Sequence, residues 1–505
     1  MTALELSSPV AVVGTGTMGQ GIAQVALLAG HPVRLYDAVE GQARTAAATI
    51  GARLDRLVEK GRLTAEDRSA AGDRLTPVDG LAELAGCGLV VEAILEQLPV
   101  KQRLFEELED VVAEDCLLAT NTSSLSVTAI AGTLEKPGRF VGLHFFNPAP
   151  LLPLVEVVSG FATDETAATR AYETARAWGK TPVRSADAPG FIVNRVARPF
   201  YAEALRLYEE RAADPATIDA VLRESGGFKM GPFELTDLIG QDVNEAVTRS
   251  VWESFFQDPK FTPSLAQRRL VESRRLGRKS GRGWYAYGDG ASRSEPHTAA
   301  PAPTPASVVL HGDLFQAHDV AKLIDEAGID LTYLEPFDPE RPGFLELPSG
   351  VRVFLSDGST GNDSEAAVIQ FDLALDYRSA TRIALAASPA VSEEQLQEAV
   401  GLFQALGKQV SVIADAPGMI VARTVAMLVD FAHDAVARGV AGGDDVDTAM
   451  LLGVNYPRGP LDWGQALGAR WAVETLECLH QEYPTGRYAP SQALRRAAAR
   501  EDLTA

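Results

Sequence analysis

The chain has 505 residues, 46% of them apolar and 23% charged, and its 46 Lys and Arg against 68 Asp and Glu leave a formal net charge of −22. That length exceeds a single hydrophobic core and implies roughly three or four domains, while the acidity opposes non-specific binding to nucleic acid or to an anionic membrane. No stretch approaches the ~18 apolar residues of a membrane span, Met1 to Val10 lacks the basic region and apolar core of a signal peptide and so reads as cytoplasmic, and Cys87, Cys116 and Cys478 are too few and too scattered for a disulfide framework or a zinc site.

From Val10 to about Ser185, short apolar runs (Val10–Val13, Val33–Tyr36, Leu89–Ile94, Leu117–Ala119, Phe140–Leu143) alternate with helical patterns. That alternation predicts βαβ units and a parallel sheet. The first run leads into Gly14-Thr-Gly16-Thr-Met18-Gly19, followed by a helical pattern from Gln20 to Leu28 that stops at Gly30. Gly14 permits the tight turn, Gly16 lets the backbone approach a pyrophosphate, and Gly19 lets the helix pack on the sheet, while the helix N-terminus attracts phosphate charge. Met18 lies in the same turn and counts with the glycines as cofactor-facing. Asp37, at the end of the second strand, is placed to accept hydrogen bonds from a ribose and to repel a 2′-phosphate, so NAD is expected over NADP. A glycine turn with no ligand is the bland alternative; the strand before it, the helix after it and Asp37 argue against that.

Two later strands end in dense polar motifs, Thr120-Asn-Thr-Ser-Ser-Leu125 and Gly142-Leu-His-Phe-Phe-Asn-Pro148, with Leu154-Val-Glu-Val157 close behind the second. After Asp187-Ala-Pro-Gly190 the periodicity becomes helical and continues to about Tyr287. Residues 288–306 are rich in Pro, Ala and Gly without apolar periodicity, the composition of a semi-extended linker. Beyond it, LGKQVSVIADAPGMIVAR (406–423) repeats WGKTPVRSADAPGFIVNR (178–195), and the same offset of 228 superimposes Asp447 on Asp219 and Gly459-Pro460 on Gly231-Pro232. The helical domain is therefore expected to be duplicated. The predicted organisation is an α/β Rossmann domain (1–186), an all-helical domain (187–287), a linker (288–306), a degenerate α/β segment without a glycine fingerprint (307–414) and a second helical domain (415–505).

The Ser123, His144 and Glu156 motifs, together with Pro189-Gly-Phe-Ile-Val-Asn-Arg195, resemble the 3-hydroxyacyl-CoA dehydrogenase family nearly continuously over residues 8–287. The resemblance implies NAD-dependent oxidation of a 3-hydroxyacyl thioester of coenzyme A, in members of this duplicated layout commonly 3-hydroxybutyryl-CoA or the 3-hydroxyadipyl-CoA of phenylacetate breakdown. Removing the hydroxyl proton needs a base, and an imidazole suits that task. His144 takes that role by resemblance, Glu156 orients it as in a His–carboxylate dyad, and Ser123 and Asn194 hold the substrate oxygen. Glu96, Lys101, Ser123, Asn147 and Lys279 carry over as cofactor contacts and Lys60 as a coenzyme A contact. Monomer and homodimer both remain open.

Plainer readings exist for each. A lone strand-end histidine is commonly structural, Ser123 and Asn121 are the residue types that cap turns, and Glu96 with Lys101 would pass as a solvated pair. Arg268, Arg269, Arg274, Arg275, Arg278, Lys279 and Arg282 are either a phosphate-attracting patch or a solvated face. As competing functions, a dehydrogenase of free β-hydroxyacids depends on a lysine instead of this His/Glu pair, a Ser-His-Glu hydrolase would need a Gly-x-Ser-x-Gly elbow that Ser123 lacks, and a non-catalytic NAD-binding relative would not need the quartet Ser123, His144, Glu156 and Asn194. At the offset of 228, His144 falls on Asp372, Glu156 on Ala384 and Asn194 on Ala422. The second copy is expected to be catalytically dead and to serve a structural role.

Overall fold

A computed structural model describes residues 2–288, 290–292, 294–335, 343–361 and 366–501. The first half opens with β1 (Val10–Val13), α1 (Thr17–Leu28), β2 (Val33–Tyr36), α2 (Gln42–Glu59), α3 (Ala65–Asp73), β3 (Leu75–Pro77), β4 (Leu89–Glu92), α4 (Leu98–Val111) and β5 (Leu117–Thr120). It continues through α5 (Val127–Ala131), β6 (Phe140–Phe145), β7 (Leu154–Ser159), α6 (Glu165–Ala177) and β8 (Thr181–Ala186). These strands form one eight-stranded sheet in the order β3-β2-β1-β4-β5-β6-β7-β8. Alternate residues of β1 feed two cores, Val10 and Val12 into one and Ala11 and Val13 into the other, because helices cover both faces of the sheet.

The five apolar runs read from the sequence pair in parallel as expected, and two further strands at one edge depart from that direction. β7 runs antiparallel to β6, and β8 runs parallel to β7, so the last two strands are reversed. The physical reason is the connection: only residues 146–153 separate β6 from β7, too few for the crossover that parallel neighbours require.

Helices α7 (Val193–Val196), α8 (Arg198–Glu209), α9 (Pro215–Glu224), α10 (Pro232–Ile239), α11 (Gln241–Ser254) and α12 (Leu265–Glu272) follow. Residues 288–306 carry no helix or strand among those described, yet His297 and Ala299 are tied to the second half. The His297 carbonyl accepts hydrogen bonds from Arg382 and Ser411, and the Ala299 N–H donates to the Val410 carbonyl. The second half contains β9 (Ser307–His311), α13 (His318–Glu326), β10 (Asp330–Leu334), β11 (Phe344–Glu346), β12 (Arg352–Leu355), β13 (Val368–Phe371), β14 (Arg382–Ala387), α14 (Glu393–Ala405) and β15 (Gln409–Ile413). Among the described residues its sheet has the order β10-β9-β11-β12-β13-β14-β15. Helices α15 (Val421–Ala437), α16 (Gly443–Gly453), α17 (Pro460–Leu467), α18 (Ala469–Glu482) and α19 (Gln492–Glu501) complete the chain.

The offset of 228 holds well beyond the helical repeat. β7 and β14, and α6 and α14, correspond end to end, and the antiparallel register Gly142↔Val158 reappears as Gln370↔Ala386. The degenerate segment is thus a copy of the sheet's reversed edge with a shortened remainder. Gly312 follows β9 in a positive-φ turn, but no glycine fingerprint surrounds it.

Two compact units result: residues 1–195 with 438–454, and residues 196–437 with 455–505. In the first, α16 packs on β7 and β8, and the Ala186 N–H donates to the Val440 carbonyl at 2.7 Å. In the second, α15 packs against α8 around a buried charge cluster in which Glu203 accepts from Arg423, Arg487 and Tyr488. Burial pushes the Glu203 carboxyl up, but the two guanidinium charges outweigh it and hold the group at about 2.

Candidate active site

His144 and Glu156 face each other across the β6–β7 pair, so their side chains leave the same face of the sheet. His144 Nδ1 lies 2.6 Å from Glu156 Oε2. Glu156 is fully buried and His144 is 5% exposed. The other carboxylate oxygen, Oε1, accepts the N–H groups of Ile192 at 3.0 Å and Val193 at 2.9 Å, where α7 begins. An anion at a helix start is well placed electrostatically. The next residue is Asn194, which lies in the same compact unit as the sheet although it belongs, by sequence, to the start of the helical region. Phe146 and Phe191 flank the imidazole, with ring centroids 4.5 Å and 5.7 Å away. Phe191 adopts φ 50°, a left-handed conformation that a bulky residue takes only at a cost. Glu156 therefore aims the ring and fixes the chain that carries Asn194.

Ser123 lies just past β5, in a loop clasped by Glu96. Glu96 Oε1 accepts from Thr122 Oγ1 (2.6 Å), the Ser123 N–H (2.9 Å), the Ser124 N–H (3.1 Å) and Ser124 Oγ (3.0 Å). Burial raises the Glu96 carboxyl, but Lys101 and these donors outweigh it and hold it below its ordinary value. Lys101, 1% exposed, spans Glu92 at 2.5 Å and Glu96 at 3.2 Å. Far from a solvated pair, Lys101 and Glu92 are buried together, and Glu96 joins them from the partly exposed edge. Asn121 ties the two loops together, its Oδ1 accepting the Phe145 N–H at 2.8 Å.

At the glycine turn, Gly14 has φ 90°, and a Cβ there would lie 2.6 Å from the Ala93 carbonyl oxygen. Gly19 is required by the turn itself, since its Cβ would fall 1.9 Å from the Gly14 carbonyl oxygen; its value is close approach to the turn more than packing on the sheet. Around Gly16, by contrast, a Cβ would meet nothing within 4 Å. That open position, at the N-cap of α1, is what a pyrophosphate needs. Met18 is half-buried and packs on the core beneath the turn. Asp37 Oδ2 accepts from the Thr15 N–H and Oγ1, both at 2.8 Å. Burial raises the Asp37 carboxyl slightly, and the hydrogen bonds from Val39 and Thr15 hold it lower overall. These residues fit a dinucleotide.

The remaining candidates lie further out. Asn147 is exposed and precedes a cis bond to Pro148, and Lys60 is exposed at the end of α2. Lys279 belongs to the second compact unit, where it pairs with Asp242 at 2.6 Å. Of the basic residues around it, Arg268 pairs with Glu272 on α12 and Arg278 stacks on Tyr287. Sequence reasoning missed three groups that shape the site. Thr15 tethers Asp37, Asp187 accepts from Ser126, Val127 and Thr128 to cap α5, and Glu92 holds Lys101. Only Glu92 left a signal, as a charged residue ending an otherwise apolar strand.

Comparison with known proteins places these features in a family. Residues 9–188 match the profile of the 3-hydroxyacyl-CoA dehydrogenase NAD binding domain. The C-terminal domain of that enzyme matches twice, at 190–287 and 418–505, and residues 353–417 match the 3-hydroxybutyryl-CoA dehydrogenase reduced Rossmann-fold domain. The chain is 44% identical over 490 residues to the 3-hydroxyadipyl-CoA dehydrogenase of Escherichia coli K12, covering 97% of each. To the 3-hydroxybutyryl-CoA dehydrogenase of Mycobacterium tuberculosis it is 39% identical over 280 residues, 55% of this chain and 98% of that one. The crystal structure of 3-hydroxybutyryl-CoA dehydrogenase from Escherichia coli K12 superposes with a TM-score of 0.89 at 42% identity, covering 99% of this chain and 100% of that chain.

Proposed function

The chain belongs to the 3-hydroxyacyl-CoA dehydrogenase family and is an NAD-dependent oxidoreductase; from that premise we propose that it interconverts short-chain (S)-3-hydroxyacyl-CoA and 3-oxoacyl-CoA, with His144 as the base. The observation that carries this reading is the cross-strand contact between His144 Nδ1 and Glu156 Oε2. The Glu156 carboxylate accepts a hydrogen bond from Nδ1–H, which leaves the Nε2 lone pair to take the substrate hydroxyl proton. As the imidazolium forms, Glu156 stabilises it without moving, because its second oxygen is already held by Ile192 and Val193.

In this reading Ser123 and Asn194 donate to the substrate oxygen, each from a segment held by a carboxylate, Glu96 for the first and the buried Glu156 for the second. The turn at Gly14, Gly16, Met18 and Gly19 would hold the dinucleotide's pyrophosphate and Asp37 its ribose, with Glu96, Lys101, Asn147 and Lys279 as further cofactor contacts and Lys60 toward coenzyme A. Bound there, NAD supplies the hydride acceptor. Both E. coli relatives span the full chain and carry short acyl substrates in their names, which supports the short-chain preference. Thioester and NAD are both water-soluble, and among the described residues no helix is long and apolar enough to cross a membrane; a cytoplasmic location suits the reaction. NADH oxidation with acetoacetyl-CoA is expected to proceed, and with free acetoacetate not to. Turnover of the free acid alone would overturn the reading.

A further inference from the structure

Glu92, the last residue of β4, takes no part in the chemistry above, yet it is fully buried and every oxygen it has is used. Its Oε1 accepts from Lys101 Nζ at 2.5 Å and from the Ile94 N–H at 2.7 Å. Its Oε2 accepts from Thr120 Oγ1 at 2.6 Å, and its carbonyl accepts the Asn121 N–H at 2.8 Å. These partners lead to both sides of the site. Ala93 and Ile94 lie directly on Gly14, where an added Cβ would be 2.6 Å from the Ala93 oxygen and 2.8 Å from Ile94 Cγ2. Thr120 and Asn121 end β5 and open the Ser123 loop. Lys101 passes the contact to Glu96, which grips the N–H groups of Ser123 and Ser124.

A buried ion pair is a poor way to gain stability, since well-packed apolar residues of similar volume commonly do as well or better. Leu89, Val90 and Val91, the rest of this strand, are such residues. The carboxylate at position 92 therefore points to a task that needs geometry. We propose that Glu92 is a positioning residue for the reaction, acting on the chemistry through Lys101 and Glu96 by fixing the loop that presents Ser123; this rests on the role given to Ser123 above. With the Glu92 charge removed, Glu96 is the anion left to Lys101 in this group. It is drawn toward the ammonium and slackens its grip on the Ser123 and Ser124 N–H groups.

A double-mutant cycle on the full chain tests this, with Ser123→Ala, Glu92→Gln and the double variant compared for kcat/KM on acetoacetyl-CoA, NADH affinity and Tm. Misplacing a substrate-holding group by about 1 Å costs on the order of 100-fold, so Glu92→Gln is expected to lower kcat/KM roughly 10- to 100-fold in the wild-type background. In the Ser123→Ala background the same change is expected to cost under about 3-fold, because the two residues act as one unit. Its effect on Tm is expected to be equal in both backgrounds, which a purely structural role would accompany with equal kinetic losses. Additive kinetic losses would overturn the proposal and leave Ser123 its role. A Ser123→Ala variant of unchanged kcat/KM would overturn both. Should Glu92→Gln fail to fold, Thr120→Val keeps the ion pair and removes both a donor to Glu92 and the acceptor of the Thr122 N–H, the contact that ties Glu92 to the Ser123 loop. It is expected to lower kcat/KM in the wild-type background only, and equal losses in both backgrounds would overturn the proposal.

Discussion

Asp372 stands 228 residues after His144, yet it does the structural work of Glu156. It directly follows β13 and donates its N–H to the carbonyl of Ala384 on β14, the position matching Glu156, and its carboxylate accepts the N–H groups of Ile420 and Val421, the counterparts of Ile192 and Val193. The second copy has moved the anion to the other strand of the pair and lost the imidazole. What it kept is the anchorage of a helix start; what it lost is the imidazole.

This relationship separates catalysis from anchorage experimentally. Glu156→Gln is expected to lower kcat by about 10²- to 10⁴-fold, as removal of a dyad carboxylate does elsewhere, and to lower Tm. Asp372→Asn is expected to lower Tm while leaving kcat within about 2-fold. Steady-state kinetics and thermal melts on both variants check the pair.

Asp372 also has a pH signature. Burial pushes its carboxyl up to about 6, against hydrogen bonds from Val421, Ala422, Ile420 and Leu373 that lower it. The folded state thus binds the proton more tightly than the unfolded chain, so this group's contribution falls as pH rises from about 4 to about 6. Chemical denaturation across that window is expected to show a flatter pH profile for Asp372→Asn than for wild type.

Glu203 behaves in the opposite sense. Arg487 and Arg423 hold its carboxyl at about 2 despite burial, so its contribution is fully present above the ordinary carboxylate range and is lost as pH falls from about 4.5 toward 2. Glu203→Gln leaves two buried guanidinium groups without their shared anion, a change that costs about 3–5 kcal/mol at neutral pH. Urea titrations at pH 7 and pH 3 check this, with the difference between variant and wild type shrinking at the lower pH.

On the proposed reading Asp37 sets the cofactor preference. Asp37→Ala frees Thr15 and removes the charge that opposes a 2′-phosphate, so the ratio of kcat/KM for NADH over NADPH is expected to fall by about 10- to 100-fold, the range of one or two hydrogen bonds to a charged group. Initial rates with both cofactors measure it.

Much of this was legible in the sequence, for identifiable reasons. The turn at Gly14, Gly16 and Gly19 is written in residues that no other geometry demands, and the spacing of twelve between His144 and Glu156 is set by a strand, a short loop and a returning strand. The 228-residue repeat was visible through its Ala-Pro-Gly motif and ran further than that motif implied, because strands tolerate apolar exchange without leaving an alignable pattern. Reversal of β7 and β8 was not legible from apolar runs, which look alike in either direction; the short connection was the available clue. Nor could local pattern reveal that residues 438–454 join the first compact unit, since Val440 and Ala186 meet only through the tertiary fold.

In the proposed reaction His144, aimed by Glu156, is the base. NADH oxidation with acetoacetyl-CoA, measured for wild type and His144→Ala alongside NADH affinity, tests it most directly. A kcat loss of about 10²- to 10⁴-fold is expected, with NADH binding within about 3-fold of wild type. A variant that keeps kcat within about 10-fold of wild type would contradict it.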